Sequence, residues 1–190
     1  RRRGWFRVYG PAAALDAAAS AAGIDPYWNR SAHSLPVVST AGGQNVTVLD
    51  YAAGETFPRE ANRASGELSF RLVEDSIVDA RREQGDDRRV NAVVTGPISK
   101  LAWNMAGQGQ YPGHSELLAM RTGAKRFGMM FVSPRLRVIL ATAHLPLMDI
   151  RNALTIEKVF DAIDLGNDAC KKLGVAAPRI AVCGLNPHAG

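Results

Sequence analysis

Short apolar runs rich in β-branched residues alternate with longer alanine- and leucine-rich segments, and this alternation restricts the folds open to the chain. Runs such as 6–10 (FRVYG) and 89–96 (RVNAVVTG) are typical of strands, whereas 11–23 and 156–174 have helical periodicity and end at glycine. Strands that alternate with helices form parallel sheets covered by helices on both faces. The sequence therefore predicts an α/β protein with a largely parallel sheet.

The full set of predicted elements contains seven strands and five helices. The strands are 6–10, 35–40, 45–51, 89–96, 126–132, 136–143 and 179–186, with a Gly-Gly turn at 42–43. The helices are 11–23, 58–84, 98–107, 115–123 and 156–174. Cys170 is predicted on the apolar face of the last helix, with Ile156 and Phe160, and Cys183 in a buried strand, so both cysteines are interpreted as small core residues.

Charge and hydropathy argue against nucleic-acid and membrane partners. The formal net charge is +5, but the arginines are mixed with acidic residues and no aromatic residues interleave with them. No apolar run approaches the ~18 residues of a membrane helix, and no signal-peptide core follows the basic start. A cytoplasmic protein is predicted, and an anionic small-molecule substrate is compatible with its basic charge.

The loop at 93–100 (VVTGPISK) has residues suited to an anion. Gly96 and Pro97 turn the chain from a predicted strand into a predicted helix, and Lys100 lies one turn further on. A routine strand-to-helix turn with an exposed lysine has the same pattern, so both interpretations remain open. The segment does not match the phosphate-binding pattern G-x-x-x-x-G-K-[ST], and no G-x-G-x-x-G dinucleotide motif follows a strand.

A second loop, at 111–118 (YPGHSELL), contains His114 immediately before a predicted helix. Ser115 is a suitable N-cap for a helix that begins at Glu116, and this role needs no ligand. The Pro-Gly pair before His114 leaves room for a ligand to approach. Taken alone, these residues do not decide whether His114 is functional.

His144 and His188 each follow an apolar strand and flank a proline loop. The carboxyl ends of parallel strands are where α/β proteins place their chemistry, and neutral imidazole is a common ligand of zinc. The two side chains could converge on one metal ion, although a lone loop histidine is usually structural or exposed. A catalytic zinc usually has three protein ligands, and His33, in a polar segment, does not complete the set.

Four segments in order resemble the signatures of the 4-hydroxythreonine-4-phosphate dehydrogenase family of pyridoxine biosynthesis. They are TGPISK (95–100), PGHSE (112–116), LRVILATAHLPL (136–147) and PRIAVCGLNPHAG (178–190). The resemblance extends from about residue 8 to residue 190 and is densest from residue 91 onward. It does not depend on a single motif.

The resemblance implies roles for five residues. His144 and His188 match metal ligands of the family, His114 and Ser115 match its substrate-binding His-Thr pair, and Lys100 matches its loop lysine. Serine in place of threonine retains the hydroxyl. The family's third metal ligand belongs to a YHDQG motif that these 190 residues do not contain, and the catalytic residues stay unassigned.

The resemblance also implies a fold and an assembly. The expected architecture is the two-domain α/β/α fold of isocitrate and isopropylmalate dehydrogenases, with mostly parallel sheets and the active site in the interdomain cleft. Residues 1–105 would belong to the first domain, without its first strand, and residues 106–190 to the second, without its C-terminal part. A homodimer is expected, with the metal site shared between subunits.

The implied activity is oxidation of the secondary alcohol of 4-phosphooxy-L-threonine by hydride transfer to NAD, followed by loss of CO2. The implied cofactors are NAD, bound without the glycine fingerprint, and a divalent zinc, magnesium or cobalt ion. Because one ligand lies outside the sequence, the 190 residues alone are expected to be inactive.

Other functions remain possible on the sequence. Threonate or erythronate 4-phosphate is an alternative substrate of the same reaction class, and dihydrodiol-oxidising relatives also exist. A metal-dependent hydrolase could use His144 and His188 with Asp149 as general base. A noncatalytic protein that only folds is the remaining alternative.

Overall fold

The chain divides into two compact units, which are described separately. The computed structural model describes residues 4–34, 45–51, 58 and 60–188 of the chain. The first unit is Arg1–Leu118 and the second is Ala119–Gly190. The predicted domain boundary between residues 105 and 106 stays a prediction.

A three-stranded parallel sheet lies in the first unit. It consists of β1 (Phe6–Gly10), β2 (Asn29–Ala32) and β3 (Val46–Asp50) in the order β1-β3-β2, and α1 (Ala12–Ala21) follows β1. Val48 of β3 pairs with Val8 on one side and with Arg30 on the other. The α/β class with a parallel sheet is confirmed. The strand β2 was not predicted, because its sequence NRSA is polar, and the predicted strand 35–40 and turn 42–43 lie outside the described residues.

Two helices of the first unit pack so closely that their backbones are in contact. They are α2 (Arg63–Ala80), shorter than the predicted 58–84, and α3 (Lys100–Met105). A capping box at Asn62 and Ser65 begins α2, because each side chain bonds the backbone N–H of the other residue. Gly66 allows the close approach, since a Cβ atom there would lie 2.0 Å from the carbonyl oxygen of Ala102. The small residue therefore sets the distance between α2 and α3.

The core of the first unit is centred on α2 and α3. Its buried members are Val73, Ile77, Trp103, Tyr111 and Leu117, and Phe70, Ile98 and Leu118 pack against them. Leu117 belongs to α4 (His114–Thr122), so the core also fixes the start of that helix. Burial of each large apolar side chain contributes about 1.5–3 kcal/mol.

A buried carboxylate joins several segments of the first unit. Asp79 in α2 is 1% exposed, and its oxygens accept hydrogen bonds from Tyr9 Oη (2.7 Å), Arg82 Nε (2.7 Å) and Arg88 Nη2 (3.3 Å). Its backbone carbonyl accepts from the N–H of Val90 at 3.2 Å. Burial and the bond to Asp79 raise the pKa of the Tyr9 hydroxyl. The carboxylate thus ties β1, α2 and the loop after α2 together.

The second unit contains an antiparallel strand pair, so the largely parallel pairing predicted for this half is wrong for its described strands. The pair is formed by β4 (Met130–Val132) and β5 (Arg137–Ile139). A single 3₁₀ turn at Leu147–Asp149, α5 (Ile150–Ala153) and α6 (Ile156–Lys172) follow. The serine-and-proline turn between β4 and β5 is short enough to reverse the chain directly.

The predicted apolar face of α6 is exposed at its N-terminal end. Ile156 is 91% exposed and Phe160 is 62% exposed, whereas Val159, Ile163 and Cys170 are half-buried. Among the described residues of this helix only Gly166 is buried, against Ile139. The core assignment of the cysteines is also wrong, since Cys170 is half-buried and Cys183 is exposed. Helical periodicity predicted the helix correctly, but it did not predict which residues pack against its apolar face.

Two of the predicted strands are not strands in the structure. Residues 89–96 and 179–186 have the expected apolar centres, but no described strand or backbone group pairs with 91–96 or 179–186. A strand is defined by its hydrogen-bonded neighbour, which a local sequence pattern does not supply. No helix of the described residues combines the length and the hydrophobicity needed to cross a membrane.

Candidate functional site

A cavity of about 1330 Å³ lies in the first unit, lined by β1 and by one residue each of β2 and β3. Residues 4–9 form one wall and the segment 89–98 forms another. The helix α2 contributes four side chains at helical spacing, Ser69, Leu72, Val73 and Ser76. The cavity is mostly apolar, and a few polar groups enter it, which is the usual character of a small-molecule site.

His114 lines this cavity and has an unsatisfied ring nitrogen. Its Nε2 atom is buried and has no hydrogen-bond partner among the described residues. The ring packs edge-to-face against Trp103, with centroids 5.8 Å apart and planes at 78°. Burial lowers the pKa of the imidazole below its ordinary value of 6.5, so the ring is neutral at neutral pH. A neutral imidazole with a free nitrogen can exchange a hydrogen bond with a bound ligand.

The structure corrects the predicted role of Ser115. The helix α4 begins at His114, so Ser115 lies inside its first turn and does not cap a helix beginning at Glu116. Ser115 is half-buried and is not among the residues that line the cavity. The structure therefore places His114, but not its neighbour, at the cavity wall.

The Gly-Pro turn reaches the cavity, whereas Lys100 does not. Gly96, Pro97 and Ile98 line the cavity, and Lys100 is exposed as the first residue of α3. The hydroxyl of Ser99 accepts a hydrogen bond from the N–H of Ala102 at 3.2 Å. One of the free amides that the sequence pattern offered to an anion is therefore already capped.

His144 and His188 lie in the second unit and are both exposed. His144 has φ = 56°, the left-handed region that residues other than glycine seldom adopt and that is over-represented at functional sites. The N–H of His188 donates to Oδ1 of Asn186 at 2.8 Å, which fixes the backbone of the Asn-Pro-His loop. Asp149, the candidate base of a hydrolase, is exposed in the 3₁₀ turn.

The donor chemistry of the two histidines fits a divalent transition metal, because imidazole nitrogen is a favoured ligand of zinc and related ions. In the part of the chain that the structure describes, no group of three or more His, Cys, Asp or Glu side chains could hold a metal ion. The shared metal site of His144 and His188 therefore stays a prediction.

Comparison with known proteins decides the family. The sequence profile of the pyridoxal phosphate biosynthetic protein PdxA matches residues 6–190. The chain belongs to the PdxA family. The resemblance inferred from the four ordered loops is thereby confirmed.

Two curated relatives and one solved structure place the chain within the PdxA family. A D-threonate 4-phosphate dehydrogenase of Cupriavidus necator is 40% identical over 126 residues, which are 66% of this chain and 36% of the relative. A 4-hydroxythreonine-4-phosphate dehydrogenase of a Nostoc species is 42% identical over 153 residues, 77% of this chain and 41% of the relative. The crystal structure of a 4-hydroxythreonine-4-phosphate dehydrogenase from Klebsiella pneumoniae has a TM-score of 0.77 at 28% identity, and the match covers 97% of this chain and 55% of that one. The chain thus spans about half the length of its relatives or less.

Sequence reasoning missed Trp103, which contacts His114. Trp103 was assigned only to a predicted helix, although a tryptophan is unusual among the small and polar residues of KLAWNMAG. The size of the tryptophan could have indicated a core position, because a large aromatic side chain in a short helix is expected to pack against a neighbouring element. Its contact with a histidine eleven positions later could not be read from spacing.

Proposed function

We propose that the chain forms part of an NAD-dependent, metal-dependent dehydrogenase that oxidises and decarboxylates 4-phosphooxy-L-threonine in pyridoxal 5′-phosphate biosynthesis. Membership of the PdxA family and the names of the Nostoc and Klebsiella relatives support the reaction. The observation that carries the proposal is His114, which lines a cavity together with the Gly-Pro turn and whose buried Nε2 has no partner among the described residues. This is the residue to which the family resemblance assigns substrate binding.

The phosphate end of the substrate is the proposed partner of His114, Ser115 and Lys100. A neutral imidazole with its proton on Nε2 donates a hydrogen bond to a phosphate oxygen, and the serine hydroxyl can donate another. The exposed ammonium of Lys100 adds a flexible positive charge. Of the three residues only His114 lines the cavity, and the roles of Ser115 and Lys100 are proposed from the family resemblance. Groups that hold the non-reacting end of the substrate would fix the position of the hydroxyl to be oxidised.

His144 and His188 are the proposed protein ligands of the divalent ion. The bound ion, whether zinc, magnesium or cobalt, would supply a positive charge beside the reacting hydroxyl. The left-handed backbone at His144 and the Asn186 bond to the loop of His188 support a fixed presentation of the two imidazoles. NAD would supply the hydride acceptor, and no residue of this chain is assigned to it.

The surrounding architecture is proposed from the family. We infer an isocitrate-dehydrogenase-like pair of domains with the site in the cleft between them, and a homodimer whose metal site is shared between subunits. A cytoplasmic location follows from the soluble substrate and cofactor.

D-Threonate 4-phosphate is the second candidate substrate. The 40% identity to the Cupriavidus relative favours it, because that protein is named for this activity. The two substrates differ chiefly by hydroxyl in place of amine, and both have the phosphate that His114 would bind.

Substitution of His114 tests the proposal in the full-length enzyme. We expect His114→Ala to raise the KM for the phosphorylated substrate about 10- to 100-fold, the loss typical of one hydrogen bond to a charged group. The KM for NAD should stay close to that of the wild type. Steady-state NADH formation is measured with 4-phosphooxy-L-threonine and with D-threonate 4-phosphate in parallel.

A matched control is His33→Ala, the same substitution at a histidine of the first unit that does not line the cavity. It should leave the KM for the phosphorylated substrate unchanged. Equal losses for substrate and NAD in His114→Ala would assign His114 a structural role. A full-length wild-type enzyme that oxidises neither substrate would reject the dehydrogenase.

A further inference from the structure

The indole of Trp103 is the side chain that packs against the imidazole of His114. Trp103 is 1% exposed, and the two rings meet edge-to-face at 5.8 Å and 78°. Edge-to-face contacts of aromatic rings have a preferred geometry, because the positive edge of one ring faces the negative face of the other. The position of the indole therefore restricts the plane of the imidazole.

The indole is itself fixed by hydrogen bonds. Its Nε1–H donates to Oγ of Ser69 at 3.0 Å, and the same hydroxyl donates to the backbone carbonyl of Gly66 at 3.1 Å. The hydroxyl of Ser69 thus accepts one bond and donates another. Phe70 also packs against the indole, with ring centroids 5.2 Å apart and planes at 80°. Rotation of the indole would break a partly buried hydrogen bond and two ring contacts.

The close packing of α2 and α3 makes this arrangement possible. Gly66 lies against the carbonyl of Ala102, the residue before Trp103. This contact brings the start of α3 onto the face of α2 that contains Ser69 and Phe70. The chain of contacts therefore runs from the backbone of α2, through Ser69 and Trp103, to His114.

The result is an imidazole that is held but not hydrogen-bonded at Nε2. The described residues provide no partner for this buried atom, and His114 lines the cavity with the turn at 96–98. The charged residues that line the same cavity are Arg7, Asp87 and Arg89. Arg7 donates to the backbone carbonyls of Asp87 and Arg88. The packing against the indole therefore restricts the ring plane, and no hydrogen bond among the described residues occupies Nε2.

We propose that Trp103 is a positioning residue for His114: its indole sets the plane of the imidazole and shields one side of the ring, so that the ring is held at the cavity wall with Nε2 unpartnered until a ligand binds. Trp103 touches no reacting atom in this role. The identification of the ligand as the phosphorylated substrate rests on the proposed function. The contact between the two rings is independent of that function.

Nuclear magnetic resonance of the 190-residue chain tests the position of the His114 ring relative to Trp103 directly. Nuclear Overhauser contacts between the ring protons of His114 and Trp103 are expected in the wild type. A pH titration of the His114 ring should have its midpoint below 6.5. Trp103→Leu should move this midpoint upward, because water reaches the ring, and Trp103→Phe, which retains an aromatic ring, should move it less.

The control is Ile77→Val, which trims the same core at a residue that does not line the cavity. It should leave the midpoint where it is in the wild type. Absence of the Overhauser contacts would overturn the proposal without the need for any variant. An unchanged midpoint in folded Trp103→Leu, or an equal shift in Ile77→Val, would also overturn it.

Kinetics of the full-length enzyme separate this proposal from the proposed function. Trp103→Leu should raise the KM for the phosphorylated substrate roughly 2- to 10-fold, with recovery in Trp103→Phe and little change in kcat. A shifted midpoint with an unchanged KM would support the positioning of His114 by Trp103 and reject His114 as a substrate-binding residue. An unchanged midpoint would reject the positioning role whatever the kinetics.

Discussion

At the scale of single residues, His144 has the least ordinary backbone of the predicted site. Its φ of 56° is the only positive value at a described residue other than glycine. The left-handed region crowds Cβ against the following carbonyl and costs about 1–2 kcal/mol for an L-residue. Such a cost at an exposed histidine points to a functional constraint on the loop, because packing does not explain it.

This strain can be measured by comparing two substitutions. His144→Gly should be more stable than His144→Ala by about 1 kcal/mol, because glycine adopts positive φ without a steric penalty. Urea unfolding of both variants provides the comparison. At Arg151, inside α5, the order should reverse, with alanine more stable than glycine by about 0.5–1 kcal/mol. A more stable alanine variant at both positions would contradict the left-handed conformation of His144.

The sequence singled out three histidines but not how they are held. His114, His144 and His188 were identified from their loops and from the family resemblance, the structure places His114 at a cavity wall, and the roles of all three stay predictions. The contact of His114 with Trp103 could not be predicted, because Trp103 lies on another helix. Ser115 was assigned a capping role that the earlier start of α4 removes.

At the scale of elements, the contact between α2 and α3 depends on one glycine. Gly66 faces the carbonyl of Ala102, and the pair brings the two helices close enough for Trp103 to reach Ser69. A glycine in a helix interior normally costs about 1 kcal/mol relative to alanine. Its presence is explained by the close approach and not by helix propensity.

Gly66→Ala should therefore destabilise the chain in spite of its better helix propensity. The added Cβ would lie 2.0 Å from a backbone oxygen, so α3 must shift, at a net cost of about 1–3 kcal/mol. Thermal unfolding followed by circular dichroism measures the effect. Gly10→Ala, where no atom lies within 4 Å of the added Cβ, should cost far less. Equal melting temperatures for the two variants would disprove the packing argument.

Helices and strands were predicted reliably where the sequence pattern is local, and poorly where the element depends on a neighbouring strand. The helices α1, α2, α3, α4 and α6 and the strands β1, β3, β4 and β5 were predicted, with ends displaced by a few residues. Capping by Asn62 explains why α2 begins five residues after the predicted start. The segments 89–96 and 179–186 were predicted as strands and form none, because pairing needs a neighbouring strand that no local pattern encodes.

At the scale of the whole molecule, the order of four loops carried more information than any one of them. No single motif, periodicity or composition identified the family, whereas four short segments in sequence did, and the match over residues 6–190 agrees. The antiparallel pairing in the second unit and the exposure of α6 were not predictable, because both depend on which surfaces meet.

The 190 residues alone should show no sustained dehydrogenase turnover. His144 and His188 provide two imidazoles, and a catalytic divalent ion usually needs a third protein ligand. Loss of a ligand or of its support lowers affinity or activity by about 10- to 100-fold or more. The test follows NADH absorbance after addition of NAD, zinc or magnesium, and 4-phosphooxy-L-threonine. The full-length Klebsiella relative is the positive control, and steady turnover by the 190 residues would contradict the ligand assignment.

The buried carboxylate of Asp79 has a consequence for how this sequence can change over generations. Tyr9, Arg82 and Arg88 converge on it from three places in the chain, so loss of any one of them leaves two donors in place. Loss of the carboxylate itself removes the shared partner of a phenol and two guanidinium groups in one step, a larger penalty than the loss of one donor, although Arg82 keeps Asp86 and Arg88 keeps the carbonyl of His33. Substitutions at the three donors should therefore be tolerated one at a time, whereas a neutral residue at 79 could spread only in a lineage where its partners had already been replaced.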